Sequence, residues 1–179
     1  MPLSDDPLIS VSDLFFKHGI KFCVAGGWAV SIWGAVRATE DIDLVVLTDP
    51  GDHEAIRRIL EIRYRVISHP AFFFAGTHTP VWRNVLTAPD IDDHCVLDII
   101  IATTDYMKAT VERAVFIEYR EVSLPIIALE DLIILKAMAG RTQDRADIEA
   151  LLKGTMPLDT EYLIRTARGL GVDVGFLSG

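Results

Sequence analysis

Cysteine is scarce in this chain, with two residues, Cys23 and Cys95, among 179. Each lies in an apolar run without a second Cys or a His at ligand spacing, which excludes a disulfide scaffold or a structural zinc centre as the basis of the fold. A reducing, cytoplasmic location is the expectation that follows. The five histidines include no His-x-x-x-His pair. Apolar runs long enough to cross a membrane are missing, and the opening Met1-Pro2-Leu3-Ser4-Asp5-Asp6 has neither a basic nor an apolar leader, so no membrane partner is expected. Positive charge is also short: 17 Lys and Arg against 26 Asp and Glu leave a net charge of −9. That balance excludes a general nucleic-acid coat or a membrane-surface binder, though not a local basic pocket. Gly-x-x-x-x-Gly-Lys and Gly-x-Ser-x-Gly are both absent, which removes the P-loop and the serine-hydrolase elbow.

Apolar residues are plentiful, at 50% of the chain, enough for a full-sized core without a metal or disulfide staple. Their spacing predicts a helix from Pro7 to His18 closed by Gly19, a strand from Lys21 to Ala25, a helix from Trp28 to Ala35 and a strand from Asp41 to Leu47. A helix from His53 to Ile62 follows. Aromatic and β-branched runs at 64–68, 71–77, 81–87 and 95–103 read as mostly antiparallel strands, punctuated by Pro70, Pro80 and Pro89-Asp90. A helix from Asp105 to Ala114, capped by Thr104 or Asp105, precedes a strand-rich stretch at 116–127. Three helical patterns, Leu129–Ala139, Asp144–Lys153 and Thr160–Gly169, end the chain. The expected class is α+β, a mixed sheet flanked by helices: a core over 1–128 and a helical C-terminal segment over 129–179, packed as one unit.

The chemistry concentrates in Val24-Ala25-Gly26-Gly27-Trp28 followed by Asp41-Ile42-Asp43-Leu44. Adjacent glycines at a strand end let a ligand approach the backbone and leave amide N–H groups facing phosphate oxygens. Asp41 and Asp43, two apart on a strand, share a face, and two carboxylates there repel unless a cation lies between them. Hard oxygen donors with open positions suit Mg²⁺ (or Mn²⁺) that also touches substrate phosphates. Asp98, a lone charge in Cys95-Val96-Leu97-Asp98-Ile99-Ile100-Ile101, is the candidate third carboxylate, with Asp92 and Asp93 as alternatives. Without a site, the glycines would be a plain strand-to-helix turn and the two aspartates the solvated start of an edge strand.

This ordered set resembles the nucleotidyltransferase-fold superfamily, the DNA polymerase β-like group. Lys136-Ala137-Met138-Ala139-Gly140-Arg141 with Asp144-Arg145-Ala146-Asp147 narrows the resemblance to AbiEii-type toxins and minimal nucleotidyltransferases, including aminoglycoside- and lincosamide-modifying enzymes; it covers roughly residues 20 to 155. The resemblance implies a metal-dependent transfer of a nucleoside monophosphate from an NTP to a hydroxyl. Gly26 and Gly27 would hold triphosphate, Asp41, Asp43 and Asp98 the metal, and Lys136 a phosphate, while Asp144 would orient or deprotonate the acceptor. Trp28 stands where many members carry a small polar residue, which leaves Ser31 as the nearest hydroxyl for phosphate. The implied partners are an NTP, an acceptor that is either RNA or a small hydroxylated molecule, and an antitoxin protein. Net charge weighs against extended RNA contacts and Arg57-Arg58 with Arg63 and Arg65 weighs for them.

Blander roles remain for several of these residues. Lys136 could snorkel at a helix rim. Asp144 could cap the following helix, and Arg141 and Arg145 could pair with Asp144, Asp147 or Glu149 at the surface. The alternative for the whole chain is a catalytically inactive binding module on the same fold.

Overall fold

A computed structural model describes residues 6–35, 37–74, 77–88 and 94–175. Among them the chain runs α1 (Pro7–Lys17), β1 (Lys21–Val24), α2 (Gly26–Ile32), β2 (Ile42–Leu47), α3 (His53–Leu60), β3 (Arg65–Ser68), β4 (Phe72–Phe73), β5 (Pro80–Thr87), β6 (His94–Ile101), α4 (Asp105–Glu112), β7 (Val115–Tyr119), β8 (Val122–Ile126), α5 (Leu129–Ala139), α6 (Thr142–Leu152) and α7 (Thr160–Gly169). This is the expected mixed sheet flanked by helices with a helical C-terminal stretch. The sheet order is β3-β5-β6-β2-β1-β8-β7, with β4 paired to β5.

The centre of the sheet is where the pattern is most apolar. Ile42, Leu44, Val45 and Val46 of β2 and Leu97, Ile99 and Ile101 of β6 are fully buried, as strands covered on both faces require. β2 and β6 run parallel, while β1–β2 and β5–β6 are antiparallel. Asp43 and Asp98 interrupt this apolar pair of strands at the same level, because the register sets Asp43 opposite Asp98. On the next strand Arg83 lies opposite Asp98. Arg83, Asp98 and Asp43 therefore form one transverse row across three strands, on one face of the sheet.

α1 is fixed at its start by Asp6, which accepts N–H bonds from Leu8 at 3.0 Å and Ile9 at 3.3 Å, with Pro7 in the first helical position. α2 begins at Gly26, two residues before the Trp28 start that side-chain spacing predicts, since glycines add nothing to an apolar stripe. α5 is buried along its length from Leu129 to Lys136, Glu130 and Asp131 included. Such a helix is a core element rather than a surface one. Its acidic pair is satisfied by neighbours: Glu130 accepts the Asp159 N–H at 2.7 Å, and Asp131 accepts from the Tyr162 hydroxyl at 2.8 Å and from Arg113 Nε at 3.1 Å. These bonds join α4, α5 and α7. α5 also packs on α2, α6 and α7, which carries Lys136 and the start of α6 to the glycine corner.

Candidate functional site

β1 ends where Ala25 donates its N–H to the Asp43 carbonyl at 2.8 Å. The chain then turns at Gly26 with φ of +58°, a left-handed conformation that favours glycine. A Cβ built on Gly26 would lie 1.8 Å from Asp43 Oδ2, and one on Gly27 would lie 2.6 Å from Thr39 Oγ1. The two glycines are thus required by close approach, the first to a carboxylate of the predicted site. Gly26→Ala should cost more than the roughly 1–2 kcal/mol of left-handed strain alone, because Asp43 must also move. Urea unfolding would check this, and a variant as stable as the parent would contradict the contact.

A narrow cleft opens at this corner. Its polar wall is Gly26, Asp43, Lys136, Arg141 and Asp144, and its apolar wall includes Phe74, Ile100, Leu132 and Leu135. Asp43 is half-buried and Asp41, at the strand's entrance, is exposed. Burial first, then the charge of Asp98 and that of Asp41, push the Asp43 carboxyl up from 3.8 to about 6, against the opposing pull of Lys136 and Arg141. The shift is first the cost of burying the charge and second the proximity of two other carboxylates.

Asp98 is treated differently. Arg83 donates to it through a two-pronged contact, Nε to Oδ1 at 2.8 Å and the terminal guanidinium nitrogen to Oδ2 at 2.6 Å. That pairing holds the guanidinium even further above its ordinary pKa. Both Asp98 oxygens are engaged, and no group of three His, Cys, Asp or Glu side chains among the described residues is arranged to hold a metal ion. Asp41 and Asp43, hard donors coupled through their charges, fit a Mg²⁺ or Mn²⁺ ion that takes its remaining ligands from water and phosphate. Asp92 and Asp93, the alternatives to Asp98, lie outside the described residues.

Lys136 is 4% exposed, which rules out a snorkelling ammonium. Its Nζ lies 2.7 Å from Asp147 and 3.3 Å from Asp144. Asp144 is equally buried and also accepts Arg141 Nε at 2.7 Å and the Arg141 backbone N–H at 3.2 Å. Burial works against the Asp144 carboxylate, but Arg141 and Lys136 outweigh it and hold its pKa below the ordinary value. Asp147 is bonded in addition to Arg37 and to Gln143. The surface ion pairs expected here are instead a buried network whose carboxylates are covered, with only Arg141 well exposed. Asp144 does cap, but from the third position of α6, which begins at Thr142 rather than Asp144.

Ser31 donates its hydroxyl to the Arg37 carbonyl at 2.9 Å and the Gly27 carbonyl at 3.2 Å, and it does not line the cleft. The structure thus brings Gly26, Asp43, Lys136 and Asp144 to one cleft, sets Asp98 beside Asp43 in the sheet, and leaves Ser31 on the far turn of α2. Arg83 and Arg37 went unassigned in sequence, and Asp147 was read only as a surface ion-pair partner. They lie 15 residues from Asp98 and 110 residues apart from one another respectively, separations at which no local pattern reports pairing. The arginine cluster is largely neutralised: Arg57 pairs with Glu54 and Glu61, Arg58 with Glu54, and Arg63 with Asp13.

Residues 13–173 match the family model described as nucleotidyl transferase AbiEii toxin, type IV toxin–antitoxin system. No curated protein matches the sequence. Among solved structures, ANT(2'')-Ia in complex with adenylyl-2''-tobramycin superposes with a TM-score of 0.60 at 14% identity, over 93% of this chain and 97% of that one. The lincosamide antibiotic adenylyltransferase LnuA gives 0.53 at 19% identity, over 84% and 98%. A Thermotoga maritima protein assigned as a nucleotidyltransferase gives 0.54 at 18% identity, over 82% and 90%. At these identities the likeness is one of fold.

Proposed function

The chain belongs to the nucleotidyl transferase AbiEii toxin family, and from that premise we propose that it transfers a nucleoside monophosphate from an NTP to an acceptor hydroxyl. The observation that carries this reading is the meeting of Asp43 with the Gly26 corner at the mouth of a cleft whose other wall holds Lys136 and Arg141. A bound Mg²⁺ or Mn²⁺ would supply charge neutralisation at the triphosphate, held by Asp41 and Asp43. In the reaction the acceptor oxygen forms a bond to the α-phosphorus, the bond from that phosphorus to pyrophosphate breaks, and the hydroxyl proton is given up to solvent water.

The chain's own groups bind and orient. Gly26 and Gly27 leave room for triphosphate against the backbone. Lys136 has three N–H donors, of which Asp144 and Asp147 take two; the third is available for a phosphate oxygen. Arg141 spends one edge on Asp144 and keeps another for solvent or ligand. Asp144, with a depressed pKa, is a weak proton acceptor. Its role in this reading is to hold Lys136 and Arg141 rather than to deprotonate the acceptor.

With three of the four clustered arginines paired and the net charge at −9, a small hydroxylated acceptor is favoured over extended RNA contacts. The antibiotic-modifying relatives in fold supply the first candidates, an aminoglycoside and a lincosamide. Incubation with each NTP, Mg²⁺ and either those compounds or total RNA should yield a small-molecule adduct in mass spectra. Modification of RNA alone would overturn the acceptor assignment and leave the transfer chemistry standing.

A further inference from the structure

The cleft continues onto the sheet beside it. Strand register sets Asp43, Asp98 and Arg83 in one row. It brings Val96, Val85 and Ile67 to the same face on one side of that row, and Phe72 to it on the other. The opposite face of β5 is closed, with Trp82, Asn84 and Leu86 buried and the His53 ring against Trp82 at 4.9 Å. The site face is open at its outer edge, where Ile67 is 55% exposed and Phe72 42%. Phe74, two residues beyond Phe72, lines the cleft with Ile100 and Asp43. Cleft and apolar shelf are therefore one surface, and an exposed apolar patch joined to a cleft marks a ligand groove.

Direction and charge identify the ligand. Gly26 follows β1, so a triphosphate set against it lies on the β1 side of Asp43, and its pyrophosphate leaves on that side. In-line displacement brings the acceptor oxygen from the opposite side, which in the sheet order is that of β6 and β5. Arg83 stands two strands from Asp43, roughly 10 Å at ordinary strand spacing, the reach of a molecule of about two rings. Among the described residues of β3 to β6, the Lys, Arg, Asp and Glu side chains on this face are Arg65, Arg83 and Asp98. Asp98 is paired with Arg83, whose remaining terminal nitrogen, Nη1, has no partner among the described residues. The same guanidinium lies 5.4 Å from the Phe72 ring centre and braces it. The shelf thus offers an aromatic ring, aliphatic side chains and an N–H donor, with no unpaired carboxylate for a polycation. We propose that it is the acceptor subsite. It takes a hydroxylated molecule with an apolar face and no more than one positive charge, packed against the exposed side of Phe72 and accepting a hydrogen bond from Arg83. The inference rests on the transfer reading above.

Equilibrium dialysis of the full chain with Mg²⁺ and a non-transferable α,β-methylene NTP reads this subsite without turnover. The probes are a labelled lincosamide, which carries one amine, and a labelled aminoglycoside, which carries several. The lincosamide should bind, and the aminoglycoside should bind about tenfold or more weakly. Phe72→Ala should weaken lincosamide binding about tenfold, for the loss of one aromatic contact, and Phe72→Tyr should restore it. Phe73→Ala, which removes an exposed ring on the opposite face of β4, should change nothing, and none of the three variants should alter affinity for the NTP analogue. An aminoglycoside bound as tightly as the lincosamide, no lincosamide binding, or full affinity in Phe72→Ala would each overturn the proposal. An equal loss in Phe73→Ala would do so too, because it would show a general loosening of the hairpin. RNA labelled from α-labelled NTP while neither compound binds would overturn the subsite and leave the transfer chemistry standing. A lincosamide that binds through Phe72, with no acceptor ever labelled, would instead overturn the transfer reading and with it the acceptor role.

Discussion

Asp43→Asn should abolish transfer and at the same time stabilise the protein. The two effects have one cause. Asp43 is half-buried beside Asp98 and Asp41, and its carboxyl is pushed up from 3.8 to about 6. A carboxyl whose pKa is higher in the folded than in the unfolded chain binds its proton more tightly when folded. Its contribution is thus most favourable below about pH 4, declines as pH rises from 4 to 6, and stays unfavourable above 6. The penalty at neutral pH is about 2–3 kcal/mol for a shift of this size. The amide has nearly the same shape and no charge, so the variant escapes the penalty. In metal-free buffer its urea midpoint should exceed that of the native protein at pH 7.5, and the gap should close near pH 4. Transfer should fall about 1,000-fold or more, since a ligand of the catalytic cation is gone. A variant destabilised at pH 7.5 would show that Asp43 is held by native interactions the charge crowding does not describe.

Lys136→Met should have the opposite effect on stability. Removing the ammonium leaves Asp144 and Asp147 buried with one cation fewer, although Arg141 and Arg37 remain on their outer sides. Breaking a buried pair by deleting one partner costs about 3–5 kcal/mol, because the remaining charge has lost its compensation. Adding Asp144→Asn to Lys136→Met removes one of the two carboxylates left with a cation fewer but also ends the Arg141 fork, so it should recover only a small part of that loss. Urea titrations of the single and double variants measure both quantities. A loss below about 1 kcal/mol in Lys136→Met would mean that the ammonium is solvated and its pairs are of the weak surface kind.

These two residues also mark how far the sequence could be read. Asp43 was legible because a strand's period of two and a preceding glycine pair both act over short range. The same holds for the central strands, whose apolar runs are continuous. Lys136 was legible as a member of a motif but not as a buried group. Its burial depends on α5 being enclosed on all sides, and the charged residues Glu130, Asp131 and Lys136 make such a helix look amphipathic until their partners are known. Arg83 was not legible as Asp98's partner, since only the β5–β6 register brings the two together. The start of α2 was placed late because glycine has no side chain to register in a hydrophobic stripe, and the start of α6 because Arg141, an unusual residue for a helix cap, precedes it. Asp147 looked like a solvated residue on α6 and is instead the meeting point of Lys136 and Arg37.

The central claim is that this cleft moves a nucleoside monophosphate, and the fate of labelled phosphate tests it most directly. NTP labelled at the α-phosphate and, separately, at the γ-phosphate would be incubated with the native protein, Mg²⁺ and a panel of RNA, aminoglycoside and lincosamide acceptors, with Asp43→Asn as the control. Transfer of the α label to an acceptor, release of the γ label as pyrophosphate, and loss of both in Asp43→Asn is the predicted result. Nucleotide binding without transfer of the α label to any acceptor, or transfer of the γ label instead, would contradict it.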